Sequence, residues 1–271
     1  MNGCDDLVSY KDSFSLFDEN GVYELAAQSV IGDREEQQDR FGYDIKGDEG
    51  ITVVCDGMGG HQGGRLASTK SVEMLLDMYN QNYPCLDLHK LLTDSAYDID
   101  EQISMLKNSD GEKMMAGSTL SAVIIKDKKM TWLSVGDSRI YLFRNDEIKA
   151  LTRDHNYKLE LEEKIKNGKI DQEYYDSEIS KGSSLVSFMG AGRLPYIDCN
   201  EQACELKSED RILITSDGLY KTLGDESIKT LLSNFTNIRQ AASAIESKAN
   251  RTAKNTKALR DNTTFVIIRI K

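Results

Sequence analysis

Short runs of β-type positions open the chain: Tyr23 to Ile31, Arg40 to Lys46 and Ile51 to Cys55, the last two joined as a hairpin by Gly47-Asp48-Glu49-Gly50. Helical periodicity follows. One pattern places Val72, Leu75, Leu76 and Tyr79 on a single face; the next carries Leu88, Leu91, Leu92, Ala96, Ile99, Ile103 and Leu106, with Asp87 as its N-cap. Strand signals resume at Ser118 to Ile125, Met130 to Val135, Arg139 to Arg144 and Ile148 to Leu151, separated by polar turns at Lys126-Asp127-Lys128-Lys129 and Asn145-Asp146. A polar, mostly helical insert runs from about 156 to 192. After it come a strand at Arg211 to Ser216, a helix capped by Asp225, a helix after Asn237, and a closing strand from Thr263 to Ile270. Strand runs alternating with helix pairs, without strict strand-helix-strand order, predict an α+β domain of antiparallel sheets with helices on their outer faces.

Composition narrows the class. At 271 residues and 39% apolar content the chain can bury a substantial core, and the lack of any repeat, linker or low-complexity stretch favours one domain. No apolar run approaches the ~18 residues of a membrane span, and Met1 to Asp6 is neither cationic nor apolar, so a cytoplasmic protein with no membrane contact is expected. Forty-five acidic side chains against 34 basic ones give a net charge of −11, with no Lys/Arg cluster, which argues against nucleic acid as a partner. Five dispersed cysteines and three histidines without helical i, i+4 spacing predict neither disulfides nor a structural zinc.

Aspartates recur at strand termini. Asp56-Gly57 follows Ile51 to Cys55, Asp217-Gly218 follows Ile212 to Ser216, Gly136-Asp137 follows Trp132 to Val135, and Asp261-Asn262 precedes the last strand. If these ends converge, carboxylates ~4 Å apart repel by roughly 4 kcal/mol per pair at an effective dielectric of ~20, and a cation must lie between them. Carboxylate, carbonyl and water oxygens select Mg²⁺ or Mn²⁺. Each Asp-Gly taken alone also reads as an ordinary turn. Arg34, in Gly32-Asp33-Arg34-Glu35-Glu36-Gln37-Gln38-Asp39, suits either two phosphate oxygens or a surface pair with Glu35 or Glu36; His61, in the glycine-rich loop 57–64, is a proton donor or a solvated loop residue.

Seven segments in order resemble the metal-dependent serine/threonine phosphatases of the type 2C (PPM) family, particularly bacterial members. They are Arg34-x-x-x-Gln38-Asp39, Val54 to His61, Gly117-Ser118-Thr119, Val135-Gly136-Asp137-Ser138-Arg139, Leu151 to His155, Ser216-Asp217-Gly218-Leu219 and Asp261-Asn262-Thr263-Thr264. The resemblance implies a four-layer α-β-β-α sandwich of two antiparallel sheets flanked by helix pairs, spanning 22–271 after an N-terminal extension (1–21), with the insert at about 156–192 as a flap beside the site. It implies two Mn²⁺ or Mg²⁺ ions with room for a third. Asp56 would bridge both, the Gly57 carbonyl would complete one, Asp217 and Asp261 would bind the other, Asp39 would hold metal-bound water, Asp137 would help with the third ion, and Arg34 would bind phosphate. A water shared by the two ions would attack phosphorus in line, without a covalent phosphoenzyme.

The expected partners are phosphoserine and phosphothreonine proteins and a cognate Ser/Thr kinase, and the expected state is a monomer. Three departures stand out: Gln38 replaces a glutamate of many eukaryotic relatives, Met58 replaces the histidine proposed as general acid in some members, and the flap segment 182–190 lacks the basic and asparagine residues common there. Protonation of the leaving group is thereby left to metal-bound water or His61. Two other functions use the same features: a catalytically silent adaptor that binds phosphoproteins or a kinase, and a hydrolase of small phosphorylated molecules.

Overall fold

The computed structural model describes residues 13–60 and 62–271. In chain order the first half holds β1 (Phe14–Glu19), β2 (Tyr23–Val30), β3 (Arg40–Lys46), β4 (Glu49–Cys55), β5 (Gly57–Met58), α1 (Gly63–Gln81), α2 (Leu88–Ser104), β6 (Gly117–Ser118), β7 (Leu120–Lys126), β8 (Lys129–Val135), β9 (Arg139–Arg144) and β10 (Glu147–Ala150). The second half holds α3 (Tyr157–Lys166), α4 (Gln172–Glu178), β11 (Asp198–Cys199), β12 (Cys204–Glu205), β13 (Arg211–Thr215), α5 (Asp217–Leu223), α6 (Asp225–Asn234), α7 (Ile238–Thr256) and β14 (Thr263–Ile270).

Two six-stranded antiparallel sheets result. One has the order β1-β2-β14-β13-β9-β10; the other runs β11-β8-β7-β4-β3, with β12 also on β8. Alternation along the strands decides which side chains go where. Phe41, Val54, Val123, Met130 and Trp132 of the second sheet meet Leu25, Ala27, Ile140, Ile212, Ile214, Val266 and Ile268 of the first between the sheets. The opposite faces carry helices: α1 and α2 bury Leu75, Leu76, Leu92 and Ile99 on Ile51, Val53, Ile124 and Leu133. On the other side Leu219, Ile228, Ala241 and Ile245, from α5, α6 and α7, pack on Tyr141, Leu213, Phe265 and Ile267. Each Val, Leu, Ile, Met or Phe side chain so removed from water contributes ~1.5–3 kcal/mol.

The α-β-β-α layering is the one expected, with three helices instead of a pair on the first sheet. The Asp87 side chain caps α2, accepting from Lys90 N at 2.9 Å. Asp225 does not cap α6. Gly224 occupies the N-cap, and the Asp225 carboxylate accepts a hydrogen bond from the Tyr141 hydroxyl at 2.8 Å. The span set apart as an extension contains β1, which pairs along its whole length with β2 and lays Phe14 and Leu16 against the inter-sheet core. The insert is helical as predicted and is tied at its end to β6, where Ser118 and Met189 exchange backbone hydrogen bonds of 3.1 and 2.8 Å. Among the described residues no helix is long and apolar enough to cross a membrane.

Register explains why the aspartates meet. β13 and β14 are adjacent and antiparallel, with Thr215 opposite Phe265, so Asp217, two residues beyond β13, and Asp261, two residues before β14, lie at the same end of the sheet. β4 and β8 flank β7 and run in the same direction, which puts Asp56 and Asp137 at one end of the second sheet.

Candidate active site

An open cleft of about 680 Å³ lies at these strand ends, lined by Arg34, Gln38, Asp56, Gly57, Asp217 and Asp261, among others. Asp39 and Asp137 are buried and are not on its wall. His61 lies outside the described residues.

Asp56 is held by the segment Gly117-Ser118-Thr119. Its N–H donates to Thr119 Oγ1 at 2.8 Å, and its carbonyl accepts from Thr119 N at 2.9 Å and from Ser118 Oγ at 3.2 Å. Thr119 Oγ1 is in turn 2.7 Å from Ser138 Oγ. Two of the segments singled out in the sequence are therefore braces for a third. His155 supplies another brace: its N–H donates to the Gly136 carbonyl at 3.0 Å, and Gly136 N donates to its Nδ1 at 3.2 Å. That bond puts the ring proton on Nε2, which lies 3.3 Å from Asp198 Oδ1. Arg139 makes a two-point contact with Asp154, 2.8 Å at each oxygen, and its guanidinium stacks 3.7 Å from the centre of the Tyr220 ring. Together these contacts fix the strand end that carries Asp137.

On the other sheet, Ser216 Oγ donates to Asp39 Oδ2 at 2.7 Å and accepts from Thr264 N at 3.0 Å. Asn262 Oδ1 accepts from Gln38 N at 2.9 Å, tying the Arg34–Asp39 segment to the start of β14. Gly218 lets α5 begin directly against that start: a Cβ there would fall well inside the Asn262 carbonyl oxygen and 2.8 Å from Thr263 Oγ1. Gly218→Ala is accordingly expected to destabilise at the upper end of the ~1–3 kcal/mol typical of overpacking and to move Asp217 away from Asp261. Urea denaturation of the metal-free protein reads the first effect; a midpoint within error of wild type would show that the backbone relaxes freely.

Two cations already touch the carboxylates. Arg34 Nη2 donates to Asp261 Oδ2 at 2.7 Å, so the arginine pairs across the cleft and not with its neighbour Glu36, which instead meets Arg65 at 3.1 Å. Lys221 Nζ donates to Asp217 Oδ2 at 2.5 Å and to Asp137 Oδ2 at 3.3 Å. Burial works against the Lys221 charge, but Asp217 and Asp137 hold its ammonium above the usual lysine range.

These cations leave the centre under-compensated. Burial pushes the Asp39 carboxyl up to about 7, Asp217 and Asp261 adding to the shift against the Ser216 hydrogen bond. Asp56 is raised well above the carboxylate range by burial and by repulsion from Asp39, Asp217, Asp137 and Asp261. Asp137 reaches about 6 through burial and Asp217, with Lys221 pulling the other way. Asp39 Oδ1 is buried with no hydrogen-bond partner among the described residues. An unpartnered hard oxygen inside mutually repelling carboxylates is the chemistry a divalent cation satisfies. Among the described residues no three His, Cys, Asp or Glu side chains form a ready-made metal cage. Arg34 and Lys221 hold three of the carboxylates, those of Asp261, Asp217 and Asp137, and the Gly57 carbonyl and water would have to complete any ligand set.

Residues 29–165 match the family model for Protein phosphatase 2C, half of the chain. The chain belongs to the protein phosphatase 2C family. A serine/threonine phosphatase of Listeria welshimeri is 27% identical over 221 residues, covering 80% of this chain and 85% of that protein. The Streptococcus agalactiae serine/threonine phosphatase structure superimposes with a TM-score of 0.76 at 23% identity, over 92% of this chain and all of that one. The Mycobacterium tuberculosis phosphatase PstP does so with a TM-score of 0.70 at 25% identity, over 92% and 99%. A further structure of the PstP catalytic domain, described as a complex with two manganese ions, has a TM-score of 0.68 at 24% identity, over 92% and 98%.

Within this protein phosphatase 2C fold, sequence reading missed Ser216, Asn262 and Lys221. Ser216 and Asn262 stood inside quoted segments without a role. Lys221 carries a usable signal, since it follows Asp217 by four residues, but the sequence reading assigns no helix and so no helical face to 217–223.

Proposed function

We propose that the chain hydrolyses phosphoserine and phosphothreonine esters in proteins with the help of Mn²⁺ or Mg²⁺ ions held by Asp56, the Gly57 carbonyl, Asp217 and Asp261. The three carboxylates of Asp56, Asp217 and Asp261 on one cleft and a buried, partnerless Asp39 oxygen carry this reading. Two such ions, when bound, would lower the pKa of a water in the cleft and offset charge on the phosphoryl oxygens. The remaining work falls to the chain itself. Asp56 is fixed by Thr119 and Ser118, so its carboxylate is pre-positioned. Asp39 is oriented through Oδ2 by Ser216, which leaves Oδ1 for a water or an ion. Arg34, with 60% of its side chain exposed, is free to transfer its fork from Asp261 to two phosphate oxygens.

A cysteine-based route is disfavoured on the residues. Cys55 is the nearest thiol in sequence to the cleft, and burial pushes its pKa up, away from a reactive thiolate. A Ser/Thr kinase is the enzyme class that would supply such substrates.

Release of phosphate from a phosphothreonine peptide, with and without Mn²⁺, tests the proposal. Metal-dependent release that a chelator abolishes is expected. Release only from nucleotides or pyrophosphate would favour the small-molecule hydrolase, and peptide binding without release would favour the adaptor. Arg34→Ala should raise KM for the phosphopeptide about ten- to a hundredfold, the ~1.5–3 kcal/mol of a charge-assisted hydrogen bond, with a smaller change in kcat. An unchanged KM would remove Arg34 from phosphate capture.

A further inference from the structure

Asp137 and Asp217 come from the ends of two different sheets, yet one ammonium joins them. Lys221 stands one helical turn beyond Asp217 on α5, so both side chains rise from the same face. Its Nζ is 2.5 Å from Asp217 Oδ2 and 3.3 Å from Asp137 Oδ2. The arrangement is fixed from below: the Tyr220 hydroxyl donates to the Asp137 carbonyl at 2.9 Å, and the His155 and Thr119 contacts hold the flanking Gly136 and Ser138. Asp137 is 7% exposed, too buried to turn to solvent for another partner. Two carboxylate oxygens from separate strand ends facing one point would themselves suit a divalent ion. A lysine ammonium is a compact point charge with three donors and meets the same demand with one charge instead of two. A divalent ion placed on the same pair would have to expel it.

We propose that Lys221 is a built-in cation that fills the gap between Asp137 and Asp217 Oδ2 and so confines divalent ions to the part of the cleft formed by Asp56, Asp261 and the other oxygen of Asp217. The proposal rests on reading the cleft as a metal site. It makes Lys221 a positioning residue that sets how many ions the protein takes, and it assigns Asp137 to the lysine and not to a metal.

The test is metal stoichiometry on the full chain. Protein stripped by chelator is titrated with Mn²⁺, and free Mn²⁺ is followed by electron paramagnetic resonance alongside calorimetry. Wild type is expected to bind two ions; Lys221→Gln is expected to bind one more ion per chain than wild type. Adding Asp137→Asn to Lys221→Gln should remove the extra ion, because a carboxylate of the new site is lost. The Lys221 side chain is 51% exposed and asparagine keeps the shape of the buried Asp137, so neither substitution empties a core position. Lys221→Met, which keeps the aliphatic stem beside Tyr220, repeats the measurement in a second variant. Equal stoichiometry in wild type and both Lys221 variants would overturn the proposal while leaving the cleft a metal site. Wild-type protein that already binds three ions in the cleft would also overturn it. Wild type that binds no Mn²⁺ would instead overturn the metal-site reading itself.

Discussion

Asp56→Asn is expected to abolish phosphate release and, in metal-free protein, to raise the melting point. The two effects share one cause. Asp56 is half-buried on the cleft wall, and Asp39, Asp137, Asp217 and Asp261 each disfavour its charge. Folding the metal-free protein at neutral pH therefore requires either a repelled anion or the uptake of a proton, and an asparagine of the same shape removes both costs. The backbone contacts to Thr119 and Ser118 do not involve the carboxylate, so the local fold should persist. Each ~1 kcal/mol relieved would raise the midpoint of a domain this size by about 2–4 °C. Activity should fall by at least ~10³, the scale on which loss of a preorganised electrostatic partner is felt. Calorimetry in chelator and a phosphopeptide assay in Mn²⁺ read the pair. A variant that loses activity and also melts lower would show that Asp56 is structural, and the charge argument would fail.

Without divalent metal the protein should lose stability as pH rises from about 4 to about 7. Asp39 and Asp137 have folded-state pKa values raised to about 7 and about 6 from an ordinary 3.8. A carboxyl with a raised folded pKa binds its proton more tightly in the native state. Its full stabilisation is present below the unfolded pKa and is lost as pH rises through the folded one. At ~1.4 kcal/mol per unit, the two groups together weaken the metal-free fold by several kcal/mol between those limits. Asp198 acts in the opposite sense. Burial pushes its carboxyl up, but hydrogen bonds from His155 and Arg153 outweigh that and hold it well below the usual range, so its contribution disappears on acidification below about 4. Metal-free stability should therefore peak in mild acid. Mn²⁺ binds the ionised carboxylates, so saturating metal should restore stability at pH 7 to 8 and flatten the profile. Urea midpoints measured across pH 4.5–8 in chelator and in Mn²⁺ check this; a chelator profile that is flat or rises toward pH 7 would contradict it.

Of the strands that sequence pattern places to the residue, Arg139–Arg144 and Thr263–Ile270 lie inside the first sheet with a partner on each side, and Arg40–Lys46 is an edge strand whose bounds are set by its hairpin with β4. β4 begins two residues earlier than its apolar run because Glu49 is inside the fold, bound by the Tyr79 hydroxyl at 2.9 Å and Lys126 at 3.1 Å. A buried, paired glutamate looks like a turn residue in sequence. The Asp127-Lys128 and Asn145-Asp146 turns were legible because both dipeptides must take positive φ, 51° and 55° and then 53° and 60°. β1 was not, since it lies in the span 1–21 set apart as an extension and ends on the charged Asp18 and Glu19, and β5, β6, β11 and β12 are too short for any period.

The site was legible as a set of strand-end aspartates and less so as a circuit. Arg34 was matched to phosphate or to Glu35 and Glu36, but its partner in the structure is Asp261, 227 residues away. The link from Lys221 to Asp137 spans 84 residues and depends on the packing of α5 against a strand end in the other sheet. Sequence motifs named the carboxylates; only the fold shows which cations the chain itself provides for them.

Diffraction from crystals soaked in Mn²⁺, with anomalous data that locate manganese directly, is the most direct test of the central claim. The account predicts anomalous peaks inside the cleft, within coordination distance of the Asp56, Asp217 and Asp261 carboxylates and the Gly57 carbonyl. Manganese found only on the outer surface, with those carboxylates still turned to Arg34, Lys221 and solvent, would contradict it.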